Sequence, residues 1–204
     1  MLPRTSQRQR DLLLAAGLFL LALFLNSGAA ALRTQERLSD KIIRLHVLAN
    51  SDTPEDQSVK LLVRDRILSD TAPLLERART RAEMETLLDA YLPELADGVR
   101  RTLSDCGCAC PVTLELRETE FPTRRYDTFA LPAGHYLALR AVIGDGAGQN
   151  WWCVVFPPLC GAETVSGDFT AEEIGLIRRK NTACVLKFRA VECWERLRQK
   201  LRTE

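Results

Sequence analysis

Histidine is nearly missing from this chain: His46 and His135 are the only two among 204 residues. That scarcity removes the usual nitrogen ligand of a zinc module. The run Cys106-Gly107-Cys108-Ala109-Cys110 also lacks the C-x2-C spacing such modules use. No metal site and no cofactor is expected. A charge excess of either sign is lacking too, with 28 Lys and Arg against 27 Asp and Glu. Without a basic surplus the body has no electrostatic footprint for nucleic acid. Internal repeats and low-complexity tracts are absent, and no composition break announces a second domain. The glycines of residues 144–148 have neither the Lys-Ser/Thr of a phosphate loop nor the spacing of a dinucleotide fingerprint, so they read as a turn.

What the chain does have begins at its N-terminus. Arg4, Arg8 and Arg10 precede an apolar run over residues 12–25, and Ala29, Ala30 and Ala31 follow as an A-x-A cleavage site. This order spells a secretory signal peptide over residues 1–31, leaving residues 32–204 as a single extracytoplasmic domain. The alternative is an uncleaved anchor that keeps the protein on the membrane through this segment, since counting through Leu32 gives enough apolar length to span one. Either way the preceding arginines put the domain outside. Export in turn makes disulfides an expectation. Seven cysteines leave at least one without an intrachain partner. Cys153 and Cys160, on either side of Pro157 and Pro158, are the expected pair. The thiols of Cys106, Cys108 and Cys110 are expected to pair with one another or with Cys184 and Cys193.

Residues 41–49 are rich in branched side chains and partly alternate, which predicts a strand. A turn at residues 50–54 follows, where Asp52 or Thr53 caps a helix opened by Pro54, Glu55 and Asp56. Val59, Leu62, Val63 and Ile67 supply that helix's apolar stripe. A second helical stretch carries Met84, Leu88, Leu95, Val99 and Leu103, with Pro93 predicting a kink or a break. Strands are predicted near residues 112–118, 126–131, 135–143 and 151–156. The tail repeats Leu186, Ala190, Cys193, Leu197 and Leu201 at helical spacing. Short turns between strands predict antiparallel neighbours. The expected architecture is α+β, a largely antiparallel sheet of four or five strands covered by helices.

Chemistry concentrates in residues 144–160, where a glycine turn leads through Gln149 and Asn150 to Trp151 and Trp152. Adjacent side chains of a strand point to opposite faces, so only one of the two indoles can easily enter one core. The other is a contact anchor for a second layer or a partner. One enzymatic reading is a secreted cysteine-dependent cell-wall hydrolase, pairing His46 or His135 with Cys153 or Cys160. Neither cysteine begins a helix, where the dipole would lower its pKa. Asp52 and Asp56 are accounted for by capping and by the helix dipole. Arg124 and Arg125 can fork onto a partner's carboxylate or onto Asp52. No nucleophile, base and oxyanion donors converge, so no catalytic residue is named.

Four blocks carry a resemblance: LHVLANSDTPEDQ at residues 45–57, FPTRRY at 121–126, LPAGHY at 131–136 and the glycine–tryptophan segment at 144–160. In this order they resemble the stage II sporulation protein R family of endospore-forming bacteria. The Cys106–Cys110 cluster and Gly161 depart from that pattern. The resemblance implies a protein made in the forespore and exported to the space between forespore and mother cell. There such proteins trigger a membrane-embedded aspartic peptidase of the mother cell, which removes the pro-sequence of a sigma factor. On this chain the resemblance implies an activator, not an enzyme, with a partner-binding surface at Asn50, Ser51, Asp52, Arg124, Gln149, Asn150, Trp151 and Trp152.

Overall fold

The computed structural model describes residues 11–12, 14–19, 33–126, 129–159 and 169–177. Most of the expected signal segment, Cys160 and the expected C-terminal helix lie outside these residues. After a helical stretch at residues 33–39, the order is β1 (Ile43–Leu48), α1 (Pro54–Arg77), α2 (Arg81–Asp105), β2 (Val112–Phe121), β3 (Arg124–Arg125), β4 (Ala130–Leu131), β5 (Gly134–Ile143), β6 (Asn150–Phe156) and α3 (Ala171–Ile177). No helix among the described residues is long and apolar enough to cross a membrane.

The four long strands form one sheet in the order β2-β5-β1-β6, and β3 pairs with β4 in a separate two-stranded ribbon. The sheet is mixed, not largely antiparallel: β1 runs parallel to β5, while β2–β5 and β1–β6 are antiparallel. The sequence expectation failed at two joints. Two helices and the outer strand β2 come between β1 and β5, and β5 returns antiparallel to β2 and enters beside β1 running the same way. The turn after β5, read as a hairpin, instead carries the chain over the end of β1 to its far side. Its six residues are enough to cross two strand spacings, about 10 Å. Of the strand expected at residues 126–131, the described residues show β4 at its end, and β3 lies just before it.

The core follows the alternation of the strands. Ile43, Leu45 and Val47 of β1, Leu137, Leu139, Ala141 and Ile143 of β5, and Cys153 and Val155 of β6 share one face with Val63, Ile67 and Leu74 of α1 and Met84, Leu88, Leu95 and Val99 of α2. Both helices start on threonine caps: Thr53 accepts from Asp56 N, and Thr80 from Glu83 N. Helix α1 presents Lys60, Val63, Ile67, Thr71 and Leu74 inward, so Leu62 faces solvent rather than joining the expected stripe. Helix α2 runs unbroken through Pro93. The opposite sheet face carries a smaller core of Leu38, Ile42, Phe121, Phe129, Leu131, Tyr136, Val154, Leu159 and Ile177. Helix α3 packs on β4 beneath it, capped reciprocally by Thr170 and Glu173 and tied to Lys41 at 2.9 Å.

Candidate functional site

The β5–β6 turn and the loop leaving β1 are knitted into one body. Gly148 N donates to Ala49 O at 2.9 Å, and Ala147 N to Asn50 O at 3.1 Å. Asp145 N donates to Asn50 Oδ1 at 3.1 Å, and Gln149 N to Asp52 Oδ1 at 2.7 Å. Glycine is required where the two chains touch. A Cβ on Gly148 would lie 2.2 Å from Ser51 O, and Gly144, at φ +57, would drive one to 2.1 Å from Asn50 Oδ1. Asp56 ties the loop to the helix start, accepting from Asn50 Nδ2 at 2.9 Å and Ser51 Oγ at 2.5 Å. Those two hydrogen bonds hold its carboxyl below the usual range. Lys60, buried in α1, donates to Gln149 O at 3.0 Å, and burial lowers its pKa.

Beside this double loop, one row of side chains runs across all four strands. Glu115 is registered with Arg140, Arg140 with His46, and His46 with Trp152, so the four share the face opposite the long helices. Arg140 Nη1 donates to Glu115 Oε1 at 2.7 Å, which lowers the Glu115 pKa. His46 stacks on Trp152 with ring centroids 3.7 Å apart and 15° between planes. Its Nε2 lies 2.6 Å from Asn150 Oδ1. Phe121 meets the Trp152 ring edge-on at 4.7 Å. The Arg124 guanidinium sits 5.4 Å from the centroid of that indole. One register step further, Arg44 is wholly buried, its guanidinium 4.0 Å from the Phe121 centroid and 5.1 Å from that of Tyr136. Its Nη2 donates to Tyr126 Oη at 2.7 Å, while Nε and Nη1 have no hydrogen-bond partner.

Burial pushes the His46 pKa down to about 4, opposed by the Asn150 hydrogen bond and reinforced by Arg140, Arg44 and Arg124. At neutral pH the ring is therefore uncharged. Nε2–H donates to the Asn150 oxygen, and Nδ1 is left as a buried acceptor without a donor.

Of the expected surface residues, Asn50, Ser51, Asp52, Gln149 and Asn150 come together at the double loop, and Arg124 meets Trp152 from the side. Arg124 makes no ion pair with Asp52. Trp151 is separated from the rest: it packs on the helix-covered face beneath the Arg64 guanidinium at 4.5 Å. Cys153 is on that helix side too, and His46 on the other, so this pair cannot form a nucleophile and its base. Cys106, Cys108 and Cys110 are not bonded to one another, and the other expected partners, Cys184 and Cys193, lie outside the described residues. Cys106 Sγ is directed at Leu103 O at 3.2 Å, and a hydrogen bond with Cys108 pushes the Cys110 thiol up to about 11. The expected Cys153–Cys160 bond involves a residue outside those described. No group of three or more metal-ligating side chains occurs among the described residues. Arg44, Phe121, Tyr126, Tyr136 and Arg140 were not singled out from sequence. Their signal was present, since Arg44 and His46 alternate with Ile43, Leu45 and Val47 and so mark a second, non-core face of β1.

The profile of the stage II sporulation protein R family matches residues 39–166, which include every residue of the row and the double loop. The chain belongs to the stage II sporulation protein R family. A curated relative, the stage II sporulation protein R of Bacillus subtilis (strain 168), is 32% identical over 136 residues, covering 67% of this chain and 61% of the relative. No solved structure matches the chain. Membership makes this a sporulation protein, and the matched span includes the sheet and both long helices.

Proposed function

We propose that this chain is a secreted signalling protein of sporulation that activates a membrane aspartic peptidase, so linking forespore to mother cell through processing of a pro-sigma factor. The observation that carries the reading is the built but non-catalytic face. Trp152, His46 and Asn150 are locked against one another, Arg124 lies over the indole, and among the described residues Cys153 lies on the other face of the sheet from the histidine. A rigid aromatic flanked by arginine is what a recognition surface uses, because little side-chain freedom is lost on contact. Family membership supports the sporulation role. The basic and apolar N-terminal composition supports export to the intermembrane space. Activation would require binding the peptidase's active form better than its inactive one.

The test is reconstitution in a non-sporulating host, with the chain exported and co-expressed with the membrane peptidase and its pro-sigma substrate. Processing that requires this chain, falls at least tenfold with Trp152→Ala and survives Cys153→Ser is the expected result. A folded, exported chain that yields no processing would reject the activator reading. Loss of processing with Cys153→Ser in a stably folded protein would favour a cysteine-dependent enzyme instead.

A further inference from the structure

The face that carries the row is electrostatically one-sided. Arg44, Arg117, Arg124 and Arg140 are grouped on it or over it, whereas Glu115 is the single carboxylate registered there among the described residues. Glu115 is already shared, lying 2.7 Å from Arg140 and 3.5 Å from Arg117. Among the described residues, Arg44 and Arg124 have no carboxylate. For Arg124, exposed to water, this is ordinary. For Arg44 it is not, because a wholly buried guanidinium with Nε and Nη1 unpartnered carries a desolvation cost that two aromatic rings offset only in part. Hydrophobic side chains of similar volume would stabilise the fold better. A buried cation without its anion is explained when the anion belongs to another molecule. The same arginines also act on His46, whose pKa is lowered first by burial and then by Arg140, Arg44 and Arg124.

We infer that the strip between Arg124 and the His46–Trp152 stack receives a carboxylate side chain from an acidic segment of a protein partner. The carboxylate would lie against the Arg124 guanidinium at the edge of the half-buried indole. Arg44 and Arg140 would supply positive potential from behind. Arginine is the residue suited to this task, since its planar fork matches a carboxylate. An anionic lipid surface fits less well. Membrane adsorption uses clusters of exposed basic residues, whereas here one arginine is wholly buried, a second is paired with Glu115 and the chain's net charge is only +1. The inference rests on this face meeting a partner and not on which partner it is.

The test uses the full chain in neutral detergent, titrated with a hexaglutamate peptide, a hexaglutamine peptide and vesicles containing one-third anionic lipid. Indole fluorescence gives the binding curve, and the His46 ring resonances follow the site itself. Saturable hexaglutamate binding is expected, weakened at least tenfold by Arg124→Glu and by raising salt from 50 to 300 mM. Bound carboxylate should also shift the His46 titration upward. Arg44→Met should weaken binding while leaving the melting temperature unchanged or higher. Should Arg44→Met fail to fold, Arg124→Glu at an exposed position still decides the matter. Equal binding of hexaglutamine, no response to Arg124→Glu, or binding to vesicles alone would overturn the inference. None of these results depends on peptidase activation, so failure here and failure of the activator reading are separately visible.

Discussion

Gly148 and His46 show how single residues set the properties of this site. At Gly148 the crossing chains leave no room for a methyl group, because the obstacle is the Ser51 backbone and not a side-chain tip that can swing away. Gly148→Ala should therefore cost about 2–3 kcal/mol, the usual penalty of forced overpacking, visible as a lower urea midpoint. A midpoint within error of the parent would mean that the two loops are not held as tightly as described. His46 gives stability a pH dependence of known sign. Its pKa is lowered in the fold, so the unfolded chain binds a proton that the native ring refuses. The stability this provides is complete above pH 6.5 and is lost as the pH falls towards about 4, amounting to about 3 kcal/mol at most. His46→Gln should flatten that limb of the stability–pH curve. The steeper loss at lower pH should remain, where the depressed carboxyls of Asp56 and Glu115 take up protons. An unchanged slope between pH 6.5 and 4 in His46→Gln would remove His46 as its source.

At the scale of elements, strand β6 divides its two tryptophans between different tasks. Trp151 packs against the helix-side core beneath Arg64, and Trp152 belongs to the opposite row. Trp151→Ala should chiefly lower stability, by about 2–3 kcal/mol for a half-buried indole, and leave peptidase activation intact in whatever fraction is folded. Trp152→Ala should abolish activation at a smaller cost in melting temperature. The reverse assignment would show that the helix-covered face is the functional one. The double loop has its own signature. Asp52→Ala removes the acceptor for Gln149 N and should cost about 1 kcal/mol, with faster hydrogen exchange at the Gln149 amide than at the Cys153 amide within the strand. Much of this was legible in the sequence. The alternation of Val112, Leu114 and Leu116, and that of Leu137, Leu139, Ala141 and Ile143, marks the faces they occupy. The opposite placement of the tryptophans follows from strand geometry alone. The parallel pairing of β1 with β5 was not legible, because a period of two specifies a face and carries no information about direction or neighbour. Nor was the crossing of β1 by residues 144–149, since the glycines that permit it are the same residues a hairpin turn would use.

The whole molecule is two-faced. Helices α1 and α2 lie on one side of the sheet, and among the described residues the other side carries residues 33–39, the β3–β4 ribbon and α3. What remains between that cover and the glycine turn is the row of Glu115, Arg140, His46 and Trp152. The row joins the outer strands β2 and β6 through the two central ones, so a contact there is braced by the entire sheet. The double loop closes one end of the row, and most of the residues expected at a partner surface from sequence lie at that end. Trp151 is the exception and lies on the helix side beneath Arg64.

Site-specific photocrosslinking to the proposed partner, a membrane aspartic peptidase, tests this two-faced account most directly. A photoreactive amino acid would be placed at Arg124 or Asn150 on the row side, and at Ser58 or Asp89 on exposed positions of α1 and α2. The account predicts crosslinks from Arg124 and Asn150, reduced when Trp152→Ala is present, and none from Ser58 or Asp89. Crosslinks confined to the helix positions would contradict it and move the activating surface to the opposite side of the molecule.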